Sequence, residues 1–113
     1  MTKFLAVYTG TTPPEGQAQP LSQDKIAEGM AAWGDWMSGN ATRIVDAGGP
    51  LGVTKRVSPE GVADTHNNLS GYVIIEAQSH AEAASLFEGH PHFSIFPGDA
   101  VEIMECLPIP GAS

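Results

Sequence analysis

The stretch GYVIIEAQSHAEAASLFEG, residues 71–89, decides the fold of this chain. Its opening part, GYVIIEA, is apolar at odd and even positions alike, which is the pattern of a central strand covered on both faces. A capping box follows at Ser79–Glu82, where the serine oxygen accepts one free helix N–H and the glutamate reaches back to another. The pattern predicts a helix as far as about Glu88, with Gly89 as its left-handed C-cap. A strand is thus joined directly to a short helix.

Three other stretches have strand character. Residues 3–9, KFLAVYT, are again apolar on both faces and predict a second central strand. Residues 51–58, LGVTKRVS, place Lys55 among alternating valines, which is typical of an edge strand guarded by charge. We expect this strand to pair with GYVIIEA as an antiparallel hairpin, and residues 59–69 to form the loop between them. Residues 100–107, AVEIMECL, predict the last strand.

A long helix is expected after the first strand. It spans residues 22–38, with Ser22 as its N-cap. Apolar residues recur at spacings of three and four and predict its buried stripe: Ile26, Met30, Trp33 and Met37. Trp36 falls at the border of that stripe. The segment Ala41–Asp46 is expected as a last helical turn, closed by the glycines that follow. The Gly-, Pro- and Thr-rich segment at residues 10–22 is either a lid or a plain surface connection.

The order strand, helix, strand, strand, helix, strand predicts a single α+β domain over residues 1–113. It is the order of the ferredoxin-like βαββαβ fold with a four-stranded antiparallel sheet. In that fold the first and third strands are central, which agrees with the two runs that are apolar on both faces. Two helices cover only one sheet face, and a second copy of the chain is the simplest cover for the other. We therefore expect a homodimer that joins through the sheet face, as a dimeric α/β barrel.

Composition argues against binding to nucleic acid, against association with a membrane and against secretion. The chain has 5 Lys plus Arg against 13 Asp plus Glu, a formal net charge of −8 that would repel nucleic acid and anionic membrane surfaces. No apolar run approaches the roughly 20 residues that span a bilayer, and the N-terminus lacks the pattern of a signal peptide. Cys106 has no partner for an internal disulfide and, in an apolar strand pattern, is expected to be buried and inert. We expect a cytoplasmic protein.

Over nearly its whole length the sequence resembles the YCII-related family of the dimeric α/β barrel superfamily. The resemblance lies in KFLAVYTG, in AAWGDWMSGNATRIVDAGGPLG and above all in the run from Gly71 to Ile109. It implies a dimer without a bound cofactor and with a pocket between sheet and helices. In the family, a histidine on the first helix and an aspartate before the corner proline are proposed as an acid–base pair. Here the first helix has no histidine and His90 replaces the aspartate, so that pair does not carry over.

The corner itself reads His90-Pro91-His92. Pro91 ends the preceding helix and holds His90 extended, which explains the proline without any function. In an extended segment, residues i and i+2 can point to the same side, which suits a proton-transfer pair near neutral pH. A zinc site needs three or four ligands, and only Asp99 or a distant His66 is at hand, so we expect no metal. The histidines are candidates either for catalysis or for a structural corner.

A pocket for a small organic ligand is expected between sheet and helices. Its candidate lining residues are Tyr8, Trp33, Trp36, Phe93, Phe96 and Asp99, although core packing or a dimer interface would explain the same aromatics. One function that follows is a non-catalytic dimer that binds a small molecule. Another is a cofactor-independent enzyme that uses His90 or His92 for acid–base chemistry on a small cyclic or aromatic metabolite. A haem-degrading or oxygenase role, seen elsewhere in the superfamily, has no residues here that specify it.

Overall fold

A computed structural model of the chain describes residues 1–10 and 21–111. The expected lid or connection at residues 10–22 therefore lies almost wholly outside the described residues. The elements, in chain order, are β1 (Thr2–Thr9), α1 (Gln23–Gly39), β2 (Ile44–Pro50), β3 (Thr54–Ser58), β4 (Gly61–Thr65), β5 (Leu69–Ala77), α2 (His80–Ser85), α3 (Pro91–Ser94) and β6 (Ala100–Glu105).

Four of the strands form one antiparallel sheet in the order β2-β5-β1-β6. β1 pairs with β5 on one side and with β6 on the other, so the two runs that are apolar on both faces are the central strands, as predicted. With α1 following β1 and α2 following β5, this arrangement confirms the ferredoxin-like fold. β3 and β4 form a separate two-stranded ribbon.

The prediction for the second edge strand was wrong. Residues 41–46 do not extend the helix; instead β2 begins at Ile44 and pairs with β5. Its register shifts twice along the strand. Gly48 has a φ of +64°, and its backbone lies so close to Tyr72 that a Cβ would stand 1.9 Å from that residue's carbonyl oxygen. The glycines that resembled a helix end therefore form an irregular, bulged strand, in which the two-residue period that identifies strands is lost.

Apart from Leu51, whose N–H donates to the Ser70 carbonyl at 3.0 Å, residues 51–58 do not pair with β5 either. β3 pairs with β4, which lies inside the expected loop, and a two-residue turn joins them. Val57 stands opposite Val62, and Lys55 stands opposite Asp64. A two-residue turn closes a ribbon between near neighbours at less cost in chain entropy than the longer loop of the predicted hairpin. The ribbon is thus an insertion between the β2 and β5 strands of the ferredoxin-like fold.

The starts of both main helices are as predicted. Ser22 precedes α1, and its hydroxyl oxygen accepts the Lys25 N–H at 3.1 Å. Ser79 precedes α2 and accepts the Glu82 N–H at 3.1 Å, while the Glu82 carboxylate reaches back to the backbone N–H just before the cap. α2 ends at Ser85, earlier than the predicted end at about Glu88, and turns lead on to Gly89, whose φ of +69° is the left-handed conformation expected at that position.

The buried face of α1 is rotated relative to the predicted stripe. Ile26 and Met30 are 43% and 61% exposed, whereas Gly29 is buried and Trp33 packs against the core. A Cβ at Gly29 would lie 2.4 Å from the ring of Phe96, so the bare glycine lets that ring lie against the helix. A glycine carries no hydrophobic signal, which is why the pattern placed the stripe one position away.

The core lies between the helices and one face of the sheet. It contains Phe4, Ala6, Tyr8, Val73, Ile75, Ala77, Ala83 and Phe87. Alternate residues point to the other face, which we call the outer face. There Leu5 stands opposite Ile74 on one side and Met104 on the other, and none of the three is fully buried. The outer face is therefore apolar at its centre.

β6 is shorter than the predicted strand and ends at Glu105. Cys106 follows it and is exposed, so the expectation of a buried thiol was wrong. Its N–H still donates to the Lys3 carbonyl at 2.9 Å, so the chain stays alongside β1 there while the thiol is left uncovered at the end of the sheet. None of the helices in the described part of the chain has the length and apolarity needed to cross a membrane.

Candidate functional site

A cavity of about 380 Å³ lies between α1 and the end of the sheet where β1 finishes and β5 begins. Aromatic and apolar side chains form most of its wall, and backbone of β2 and β5 completes it. The side chains that matter below are Tyr8, Met30, Trp33, His92 and Phe96. Both the volume and the mainly apolar wall suit a small organic ligand.

The histidine corner begins a short helix. His90 is the N-cap of α3, and its Nδ1 accepts the His92 N–H at 3.0 Å. Pro91 occupies the first helical position, where its missing N–H costs no hydrogen bond. The pattern of two histidines and a proline thus has a structural reason, and the two rings go to different places.

His90 is enclosed by aromatic rings and is only 1% exposed. The centroid of its imidazole lies 4.6 Å from Trp33, 4.8 Å from Trp36, 5.2 Å from Tyr8 and 5.8 Å from Phe87. Burial, assisted by the nearby His92, lowers the pKa of His90 to about 4. His90 is therefore neutral at pH 7 and stands behind the cavity wall.

His92 stands on the cavity wall itself. Its Nε2 lies 2.7 Å from the carbonyl oxygen of Thr9. Since a carbonyl can only accept, Nε2 carries the hydrogen, and Nδ1 is the nitrogen of the neutral ring that can take up a proton. The backbone of Gly98 packs closely against the imidazole. A Cβ at this position would lie 2.3 Å from the ring, so only glycine leaves room for it. His92 is thus held in one place, and its neutral ring has one defined tautomer.

Tyr8 adds a phenol to the same wall. Its hydroxyl lies 3.4 Å from Nε2 of His90, and its ring centroid lies 5.0 Å from that of Trp33. Burial raises the pKa of Tyr8 well above its usual value. The phenol stays protonated at neutral pH, so it offers a hydrogen-bond donor and not a base.

The other expected lining residues lie elsewhere. Trp36 donates its indole N–H to the Leu86 carbonyl at 2.8 Å and packs on Phe87, so its role is in the core. Phe93 and Asp99 line a second cavity, of about 310 Å³, on the side of α2 and β6. The structure thus brings Tyr8, Trp33, Phe96 and His92 together around one cavity and separates Trp36, Phe93 and Asp99 from it.

Several lining residues were not expected. They are Met30 and Tyr72, together with the residues of β2 and β5 at the end of the sheet: Ala47, Gly49, Pro50, Ser70 and Gly71. Met30 was assigned to the buried stripe of α1, and its helical neighbour Trp33 was the available signal for the cavity. Tyr72 was expected only as part of a central strand, and its register opposite Val7 places it among the outer-face residues, so the sequence carried no signal for the cavity there. Within residues 1–10 and 21–111, no group of three or more His, Cys, Asp or Glu side chains is placed to hold a metal ion.

Comparison with known proteins gives a likeness in fold. No protein-family model and no curated protein matches the sequence. Among solved structures, the chain is similar to 5-chloro-2-hydroxyhydroquinone dehydrochlorinase from Burkholderia phenoliruptrix in complex with 2,5-dihydroxybenzoquinone. The two share 20% sequence identity with a TM-score of 0.53, and the match covers 89% of each chain. At this identity the likeness shows a shared fold.

Proposed function

We propose that this protein binds a small aromatic or cyclic compound with oxygen substituents in the cavity beside Tyr8 and His92. The observation that carries the proposal is the composition of the wall. Aromatic rings at Trp33 and Phe96 offer stacking surfaces, and two polar groups, the Tyr8 phenol and the His92 imidazole, stand among them. A protein of the same fold with a dihydroxybenzoquinone ligand supports this choice of compound.

We also propose that the chain is a YCII-related protein that works in the cytoplasm as a homodimer. The ferredoxin-like fold and the motifs quoted above support the family assignment. The apolar centre of the outer face, at Leu5, Ile74 and Met104, supports a dimer joined there, because water would otherwise cover it. A single cysteine without a disulfide partner supports a reducing compartment.

The two tryptophans of the chain provide a test of ligand binding with an internal control. Trp33 lines the cavity, whereas the indole of Trp36 is bonded to the Leu86 carbonyl outside it. In a two-dimensional ¹⁵N–¹H spectrum, adding 2,5-dihydroxybenzoquinone should shift the indole signal of Trp33 and leave that of Trp36 in place. The Cys106→Ser variant should behave identically, which excludes attachment of the quinone to the exposed thiol. Unchanged Trp33 at millimolar compound would contradict the proposal.

A second candidate function is acid–base catalysis on the same kind of ligand. The geometry of His92 supports it: the Thr9 carbonyl fixes the tautomer of the neutral ring, which leaves Nδ1 of this cavity-wall residue as the nitrogen that can accept a proton. His90 is not proposed as the proton carrier, since its ring is enclosed and does not reach the cavity.

Chloride release from 5-chloro-2-hydroxyhydroquinone tests this candidate directly. If His92 is the base, His92→Gln should lower the rate by about a hundred-fold or more, the usual share of a general base. His66→Gln is the matched control, because His66 is exposed in the loop before β5 and should leave the rate unchanged. Binding without any chloride release in the unaltered protein would favour the non-catalytic function.

A further inference from the structure

A chain of hydrogen bonds runs from the backbone of α3 to the cavity wall. The His92 N–H donates to Nδ1 of His90 at 3.0 Å, and Nε2 of His90 lies 3.4 Å from the hydroxyl oxygen of Tyr8. Tyr8 in turn lines the cavity. The buried imidazole at the middle of this chain both caps α3 and contacts the Tyr8 hydroxyl.

The first bond fixes the position of every proton that follows. A backbone N–H can only donate, so Nδ1 of His90 accepts and carries no hydrogen. In the neutral ring the hydrogen is then on Nε2, which donates to the Tyr8 oxygen. With a lone pair of that oxygen taken by His90, the O–H of Tyr8 is the group left for another partner. Within the described residues the hydroxyl makes no other hydrogen bond.

The surroundings of His90 keep its Nε2 the donor and the Tyr8 oxygen the acceptor. Trp33, Trp36 and Phe87 enclose the imidazole and offer it no acceptor that would favour the other tautomer. The low pKa of His90 keeps the ring neutral across the physiological range. An oxygen that accepts one hydrogen bond also becomes a stronger donor through its own hydrogen.

We infer that His90 is a positioning residue that turns the Tyr8 hydroxyl proton toward the cavity, so the site prefers a ligand with an acceptor oxygen, such as a carbonyl or a phenolate, at that wall. The inference rests on the proposed ligand cavity and adds the polarity of the group recognised there. A ligand that offers only apolar atoms at that position would leave the Tyr8 proton without a partner, which costs affinity.

The probe is a pair of molecules of nearly equal shape, acetophenone and α-methylstyrene, in which a carbonyl oxygen is replaced by a CH₂ group. Their affinities are measured by following the Trp33 indole signal, and the quantity compared is the ratio of the two. The Tyr8→Phe variant should lower the preference for acetophenone about five-fold relative to the unaltered protein, the usual contribution of one neutral hydrogen bond. A ratio that Tyr8→Phe leaves unchanged would overturn the inference.

Two variants of His90 separate its positioning role from its role as a helix cap. Asparagine retains an acceptor for the His92 N–H but has no group at the position of Nε2, so His90→Asn should lower the ratio nearly as far as Tyr8→Phe. Glutamine can place an amide N–H near the Nε2 position, so His90→Gln should retain more of the preference. A purely structural role would weaken both probes alike and leave the ratio unchanged in both variants.

A measurement on the unaltered protein covers the case in which these variants fail to fold. Long-range ¹H–¹⁵N correlation spectra report which ring nitrogen carries the hydrogen. The expected result is a protonated Nε2 and a bare Nδ1 in His90, and the reverse tautomer would overturn the inference. If neither probe binds the unaltered protein while the expected tautomer is present, the proposed cavity function has failed and the inference falls with it. If both probes bind with the reverse tautomer, only the inference has failed.

Discussion

His90 and His92 lie two residues apart, and both are buried, but they make different hydrogen bonds. Four aromatic rings take the place of water around His90, so its charged form is disfavoured and its remaining capacity is a fixed pair of hydrogen bonds. His92 donates its Nε2–H to the Thr9 carbonyl, which leaves Nδ1 without a hydrogen in the neutral ring. Packing thus separates two identical side chains: His90 bonds the Tyr8 hydroxyl behind the cavity wall, and His92 stands on the wall itself.

The buried neutral imidazole makes stability depend on pH. The pKa of His90 is lowered from 6.5 in the unfolded chain to about 4 in the folded one, so below pH 6.5 the unfolded chain takes up a proton that the folded chain refuses. Its contribution to stability is present above pH 6.5 and is lost as the pH falls toward 4. Between pH 7 and pH 5 the free energy of unfolding should fall by about 2 kcal/mol from this residue alone.

Urea unfolding at the two pH values measures this loss, and the His90→Asn variant provides the comparison. The variant keeps every carboxylate, so a smaller fall in its stability isolates the histidine. Equal falls in the two proteins would show that His90 is protonated as readily in the folded chain as in the unfolded one.

Some of the individual site residues could be predicted from the sequence. Pro91 and the two histidines predicted a corner, and the aromatic residues Tyr8 and Trp33 were candidates for the pocket wall. Which imidazole faces the cavity depends on how α3 starts, and no pattern of residue types carries that information. Phe93 and Asp99 are close to the site in sequence but lie on the other side of the fold, at the second cavity.

Among the elements, β2 depends on a single residue conformation. Gly48 has a positive φ, and a Cβ there would collide with the backbone of Tyr72, whereas a Cβ at the adjacent Gly49 would meet nothing within 4 Å. We expect Gly48→Ala to lower the free energy of unfolding by about 2–4 kcal/mol, because strain and collision add, and Gly49→Ala to change it little. Chemical denaturation of both variants measures the difference. Similar stabilities would mean that the bulge can move to its neighbour.

The elements also show where reading the sequence succeeds. The central strands, the last strand and the helix starts at Ser22 and Ser79 were predicted because their signals are local: apolar runs and caps. β2 was missed because its glycines imitate a helix end. The hairpin partner of residues 51–58 was misassigned because a short ribbon can form without any contact to the sheet. Gly29 shows the same limit, since a residue without a side chain can be the most buried position of a helix.

For the whole molecule, the outer face of the sheet leads to a prediction about assembly. Ile74 lies at the apolar centre of that face, so Ile74→Arg should convert the proposed dimer to a monomer. Ile26→Arg is the control, because Ile26 is 43% exposed on α1, on the opposite side of the sheet. Light scattering after size-exclusion chromatography should give twice the chain mass of 11.8 kDa for the unaltered protein and the control, and 11.8 kDa for Ile74→Arg. A monomeric unaltered protein at micromolar concentration would contradict the dimer.

The exposed thiol at the end of β6 makes each chain a single-label molecule. Since Cys106 is the one cysteine in the sequence, a nitroxide spin label attached there would mark every protomer at the same point without any engineering. In a twofold assembly two such labels report one distance by pulsed electron paramagnetic resonance, and in a monomer they report none. The same spectrum recorded with and without a compound in the cavity would reveal whether binding moves the two sheets relative to each other.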